Sequence, residues 1–328
     1  YKKDKIARLI PEYLWYRDGV TWSFITTKDI GFRYLEPGGT FDVGGSSLFF
    51  ESEDLVYSML AMLNSKPATT ILKFLNPTIS LQVENVRSVP VPVFDMNRAA
   101  TLARSAVQLS KIDWDIDEAS RGFKEIFFLE CKNGAGSLGE TWVRWSIKAD
   151  ERVLALKELE ERINELLIDA YGLQSELSPE VPEDQITLSR ADREKDCQRL
   201  ISYAIGCMMG RYSLDEPGLI YANAGNIGLD VSRYKSFSAD TDGIVPITDE
   251  LWFEDDATNR VREFLNAVWG PETLDENMAW LAESLGTKGN ETPEETIRRY
   301  LSTSFYKDHL QTYKKRPIYW HFSSGKQG

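Results

Sequence analysis

Residue types suited to catalysis are sparse in this chain. Only two histidines occur, His309 and His321, both near the end of the sequence. A histidine-rich metal site is therefore excluded, and a Ser-His-Asp triad would have to use one of these two. Neither a GxSxG nor a GxxxxGKS/T motif occurs. The segment Ala222 to Gly228, ANAGNIG, has two glycines three apart but precedes no βαβ pattern, so it reads as a surface loop rather than a dinucleotide site. Asp255 and Asp256 stand side by side ahead of a helix-like run. Paired carboxylates can serve a metal-dependent nuclease, but no spaced third ligand or lysine follows them, and acids in this position also cap helices.

Polar contact chemistry is better represented. Gln82, Asn85 and Arg87 lie on or just after a polar, alternating segment, and their planar groups can pair bidentately with adenine or guanine edges. Asn64 and Ser65, next to Lys66, can offer amide and hydroxyl groups to phosphate, or can close the end of a helix instead. Arg17, Lys28 and Arg33 belong to a basic N-terminal portion suited to phosphate contact or simply to solvation. Lys314, Lys315 and Arg316 beside Tyr319 and Trp320 can follow a nucleic-acid backbone, or form a basic terminal helix packed on its own domain. The other tryptophans read as core.

These groups need elements to position them. Val20 to Thr27 alternates apolar and polar residues as a half-buried strand does, and Ser46 to Ser52 reads as a second strand, with EPGGTFDVGG turning between them. Glu53-Asp54 opens an apolar-periodic helix, DLVYSMLAMLNS, with carboxylates at its positive end. A second helix runs through ATTILKFL and breaks at Asn76-Pro77. TISLQV alternates again as a strand, and PVPVF leaves in extended form because each proline disfavours the α region in its predecessor. Residues 97–131 read as helical, the glycine-rich segment Asn133 to Gly139 interrupts them, and a long helix spans about Ser146 to Tyr171. An antiparallel pair is the economical arrangement for two such helices. Gly172 closes the second. Beyond the linker LSPEVPEDQ come helices at DREKDCQRLISYAIGCMMGRY, DATNRVREFLNAVWG and TPEETIRRYL, with a strand expected near GIVPI. The expected fold class is α+β, divided into a mixed lobe over 1–96, a helical spacer over 97–185 and a mostly helical lobe over 186–328.

Of the 328 residues, 42% are hydrophobic and 12% aromatic, enough to bury more than one core and to argue against disorder. No run approaches the roughly 20 apolar residues of a membrane span, so a soluble, cytoplasmic protein is expected. Three widely spaced cysteines without a CxxC pair point to reduced core thiols rather than a disulfide framework. The net charge of −13 opposes a polyanionic partner, but its distribution is uneven. Residues 1–34 carry seven basic against four acidic groups, whereas residues 151–185 carry three basic against ten acidic. An acidic helix there can sit away from DNA or face a protein partner. The start at Tyr1 and the polar end SSGKQG are expected of a piece of a longer protein.

The segment LAMLNSKPATTILKFLNPTISLQVENVRSVPVP, beginning at Leu60, resembles the distal half of target-recognition domains in type I specificity subunits and fused restriction-modification methyltransferases. The stretch INELLIDAYGL is similar to the ending of their spacer helix. With DWDIDEASRGFKEIFFL and KKRPIYWHFSSGK added, nearly the whole chain resembles the C-terminal part of the PglX family, the adenine-specific methyltransferases of BREX phage-defence systems. The resemblance implies double-stranded DNA as partner, with other BREX proteins and phage DNA-mimic inhibitors as further candidates. It also implies S-adenosylmethionine as cofactor of the parent enzyme, bound by a glycine-rich loop N-terminal to this region, as is the catalytic Asn-Pro-Pro-Tyr. Asn76-Pro77 departs from that motif, being followed by Thr78-Ile79. The expected role of this chain is therefore choice of the methylation site. A role as an acidic platform that docks other defence subunits through the 151–185 helix and the C-terminal lobe is the alternative.

Overall fold

The computed structural model describes residues 10–26, 30–223 and 227–323. A three-stranded antiparallel sheet comes first, ordered β2-β1-β3, from β1 (Gly19–Trp22), β2 (Phe32–Leu35) and β3 (Ser47–Leu48). Val20 pairs with Tyr34 on one side and Leu48 on the other. Alternation along β1 buries Val20 and Trp22 on one face, where Phe32 joins them. The helices that follow are α1 (Glu53–Asn64), α2 (Lys66–Leu75), α3 (Val83–Arg87), α4 (Met96–Trp114), α5 (Phe127–Cys131) and α6 (Leu138–Tyr171). The last five are α7 (Arg193–Met208), α8 (Ala257–Trp269), α9 (Leu274–Ser284), α10 (Pro293–Thr303) and α11 (Phe305–Thr312). The fold class is α+β and mostly helical. Among the described residues no helix is long and apolar enough to cross a membrane.

Packing divides the chain into two compact units, and both are discontinuous in sequence. The first comprises residues 1–111 and 152–188; the second comprises residues 112–151 and 189–328. In the first unit, Ala99, Ala100, Leu102 and Ala103 of α4 share a core with Ile163 and Leu167 of α6, the sheet, α1 and α2. Ala106 and Leu109 pack instead with Val153 and Leu156, the order that an antiparallel helix pair requires. The core of the second unit joins α5, the start of α6 and α7 to α10. At its centre the Asp196 carboxylate, 1% exposed, accepts the indole N–H groups of Trp142 and Trp145 at 3.1 and 3.0 Å and the backbone N–H of Asp192 at 3.0 Å. Cys131, Cys197 and Cys207 are buried thiols.

Several local expectations need correction. TISLQV makes one isolated bridge, Ile25 with Ser80, and then turns into α3, because Asn85 Oδ1 accepts the Gln82 N–H at 3.0 Å and caps a helix there. No strand forms at GIVPI. The Asp240 carboxylate accepts the N–H groups of Asp242 and Gly243 at 3.0 and 2.7 Å, fixing a side-chain turn where the strand should start. The helix expected over 97–131 stops at Trp114. Beyond it Asp115 accepts from the Ser120 hydroxyl and Asp117 from the Ala119 N–H, local bonds that compete with helix. The strand β2 and the helices α9 and α11 were not foreseen. Nor are all other tryptophans core: Trp22, Trp145 and Trp269 are buried, but Trp15, Trp114 and Trp252 are exposed. Gly172 does close α6, with a φ of 69° in the left-handed region.

Two consequences are measurable. Gly206 lies within α7, and a Cβ there would stand 2.4 Å from the ring of Tyr212, which stacks on Tyr203. Replacing a helical glycine with alanine usually stabilises by roughly 0.5–1 kcal/mol. Here overpacking, about 1–3 kcal/mol, should win. We expect Gly206→Ala to lower the urea midpoint; an unchanged or higher midpoint would show that Tyr212 yields freely. Burial on α6 pushes the Glu160 carboxyl up to about 7. Folding then favours the protonated form, so this contribution is intact below the ordinary carboxylate range and is lost as pH rises through about 7. We expect Glu160→Gln to flatten the fall in stability between about pH 5 and 8, checked by urea unfolding across that range.

Candidate nucleic-acid interface

In the first unit, β1 runs on into a segment that is tied to the turn between α2 and α3. The Trp22 indole N–H donates to the Leu81 carbonyl at 3.0 Å, both residues being buried. The Leu81 N–H donates to the Phe24 carbonyl at 2.7 Å, and the Thr26 N–H to the Ile79 carbonyl at 2.9 Å. Asn76 makes the turn itself: its amide N–H donates to the Ser80 carbonyl at 2.8 Å, and its oxygen accepts the Thr78 hydroxyl at 2.7 Å. Both ends of that amide are used within the loop.

These bonds set α3 at the surface. Gln82 and Arg87 are exposed at its two ends, whereas Val86 faces the core. Arg87 lies 3.5 Å from Glu84, with both side chains more than half exposed, so the pair contributes at most about 1 kcal/mol and leaves the guanidinium available. On the segments that lead into α3, Ile25, Phe74 and Ile79 are 60%, 83% and 59% exposed. Sequence reasoning missed these exposed apolar side chains. Their signal was Phe74, which falls outside the Ala68 and Leu72 stripe of α2 and so cannot share its burial.

Other expected contacts are occupied elsewhere. Ser65 is fully buried and donates to the Met62 carbonyl at 2.6 Å, the helix-end alternative of its two readings. The Asn64 amide oxygen accepts the Phe32 N–H at 2.9 Å while its nitrogen donates to the Phe32 carbonyl at 3.0 Å, as a neighbouring strand residue would. Lys66 donates its ammonium to the carbonyls of Ser178 and Glu180. Asn85 Oδ1 is used in capping α3, and Arg17 donates to the Phe50 carbonyl at 2.6 Å. Arg33 is exposed on β2, and Lys28 lies outside the described residues.

In the second unit, Lys314, Lys315 and Arg316 are exposed, but on a turn after α11 rather than on a helix. Lys314 and Lys315 have φ of 49° and 63°, a region that costs side-chain-bearing residues about 1–2 kcal/mol. The Lys315 N–H donates to the Leu310 carbonyl at 2.7 Å. Behind the turn His309 accepts the Ile318 N–H at 3.1 Å and lies 4.8 Å from the Tyr313 ring and 5.0 Å from that of Tyr319. Burial, followed by the positive charge of Arg211, lowers His309 to about 4, which leaves it neutral at physiological pH. Asp256 serves α8 as a cap, its Oδ1 accepting the Thr258 N–H at 3.0 Å, while Oδ2 pairs with Arg298 at 2.7 Å. Burial alone would raise its pKa, but the bonds to Arg298 and Thr248 outweigh that and lower it.

No family model matches the sequence. Over nearly its whole length, however, the chain is similar to proteins of one enzyme class, the adenine-specific methyltransferases. It is 38% identical over 352 residues to "Adenine-specific methyltransferase BrxX" of Escherichia coli O9:H4 (strain HS), covering 99% of this chain and 29% of that protein. It is 37% identical over 319 residues to "Adenine-specific methyltransferase PglX" of Lacticaseibacillus casei (strain Zhang), covering 95% of this chain and 26% of that protein. The chain thus spans less than a third of the length of either relative, and the similarity supports the PglX family.

The geometry separates residues that hold the fold from those that face outward. Removing the Asn64 amide takes away both of its part-buried bonds to the Phe32 backbone, a loss of about 0.5–1.5 kcal/mol per bond. We expect Asn64→Ala to lower the unfolding midpoint, as read by urea denaturation.

Proposed function

We propose that this chain recognises double-stranded DNA within a longer, S-adenosylmethionine-dependent adenine-specific methyltransferase of a BREX phage-defence system, and directs where that enzyme acts. The supporting observation is α3, a short helix that directly follows a segment, 79–81, held by three hydrogen bonds to the chain at 22–26, with Gln82 and Arg87 exposed at its ends. A helix of this size enters a major groove about 12 Å wide, where Gln reads adenine and Arg reads guanine. The exposed Ile25, Phe74 and Ile79 can meet thymine methyl groups or sugar edges. Arg33 contributes phosphate contact that fixes register without carrying sequence information. Base flipping and methyl transfer belong to the portion of the enzyme outside this chain. The protein would act at cellular DNA, and DNA-mimic inhibitors of phage origin would compete for the same surface.

The test uses the full-length enzyme. Gln82→Ala and Arg87→Ala should each relax the base preference at one position of the methylated site, since one bidentate contact is worth about 1–3 kcal/mol of discrimination. Binding to unrelated duplexes should change little, and the dependence of log affinity on log salt should keep its slope for Gln82→Ala. Sequencing of methylated sites and titrations at several salt concentrations measure both. Uniform loss of methylation with an unchanged motif would rule out direct readout by α3.

A further inference from the structure

We propose that the loop from Asp249 to Asp255 is a docking knob for a separate protein whose surface carries an apolar groove bordered by lysine and arginine. Three consecutive large side chains, Leu251, Trp252 and Phe253, are 61%, 69% and 52% exposed. Single exposed apolar residues are ordinary, but three in a row, two of them aromatic, make the kind of anchor that dominates interface energies. Asp249 and Glu250 precede them and Glu254 and Asp255 follow. The tip is thus apolar and its shoulders are anionic.

The knob is held in place from beneath. Asp256 Oδ2 accepts the Thr248 N–H at 3.2 Å, the Thr248 hydroxyl at 3.1 Å and the Arg298 guanidinium at 2.7 Å, closing the base of the loop. Arg298 also donates to the Thr248 carbonyl. Within the loop the Trp252 N–H donates to the Glu250 carbonyl at 2.9 Å, and Asn259 donates to the Glu254 carbonyl at 2.7 Å. A loop ordered before binding loses little conformational freedom on binding, which favours a specific partner over loose adhesion.

Charge chooses the occupant. Four carboxylates beside the aromatic tip repel phosphates, which sets this loop apart from the DNA-facing surface. They also repel a second copy of a chain whose net charge is −13. A protein groove with basic margins satisfies both the tip and the shoulders.

The probe is a fluorescent amphipathic helical peptide with a leucine face flanked by lysines, titrated into the full-length protein, with a glutamine-flanked peptide as control. Wild type should bind the lysine peptide more tightly than the control, with the gap shrinking as salt rises. The double variant Trp252→Ala/Phe253→Ala should bind it on the order of ten-fold more weakly, as expected of anchor residues. Glu250→Gln/Glu254→Gln should weaken it while keeping the control unchanged. All substituted side chains are exposed, so unfolding midpoints should not move. Equal binding by the aromatic double variant, or no binding by wild type, overturns the proposal. So does dimerisation in sedimentation that the double variant abolishes, which would make a second copy the occupant. Slow maleimide labelling of Trp252→Cys in the full-length protein, read by peptide mapping, would show that its own chain covers the knob and would equally overturn it.

Discussion

The outward-facing arrangement in the first unit depends on a buried indole. Trp22 belongs to β1 by alternation and must face the core, but its N–H must also find an acceptor there, since an unpaired buried donor costs about 1–3 kcal/mol. The acceptor is the carbonyl of Leu81, itself buried. That single requirement brings the chain after α2 back to the sheet, and the bonds from Leu81 to Phe24 and from Thr26 to Ile79 follow in register. With the backbone fixed at 79–81, α3 starts at a defined point and its exposed ends are defined with it. Isolated five-residue helices are not stable in water; this one is held by its anchor.

The second unit uses acids in the same architectural way. Asp196 gathers two indoles and the start of α7, and Asp256 joins the start of α8 to Arg298 of α10 and to Thr248. Burial works against the ionised form in both, and the donors around each carboxylate oppose that effect. At Asp256 the donors prevail and the pKa is lowered. Its contribution to stability is present above the ordinary carboxylate range and is lost as pH falls through the lowered value. At Asp196 burial prevails and the pKa is raised, so the pH dependence has the opposite sign.

Helical periodicity made α1, α2, α7, α8 and α10 legible in the sequence, because an amphipathic stripe needs only local information. The strands were less so. β2 consists of four residues whose Arg33 and Phe32 alternate over too short a run to stand out, and TISLQV carries a strand's alternation in a place where Asn85 caps a helix. The candidate site was legible by residue type but not by availability. Gln82, Arg87 and Arg33 are exposed as their polarity implies, whereas Asn64, Lys66 and Arg17 look equally suited to DNA yet bond to main-chain groups distant in sequence, and Ser65 is buried against the Met62 carbonyl. Such long-range acceptors have no local signature. The division into two units was hidden for the same reason, since nothing in α6 marks the point at which its residues change cores.

That interleaving constrains how the chain can be made. The core of the first unit needs residues up to 111 and again from 152 to 188, so it cannot be completed until the emerging polypeptide has passed through the intervening part of the second unit. At roughly 5–20 residues per second on the ribosome, the apolar face of α4, complete at Trp114, waits roughly 3–11 s for α6 to end at Tyr171. During that interval the early β1–β2 hairpin has exposed edges and no complete core beneath it, the condition in which nascent chains attract chaperones or one another. A break introduced between residues 131 and 138 would separate both units from part of their own interior. Neither half could then be expressed as an independent domain, although each would contain most of one core.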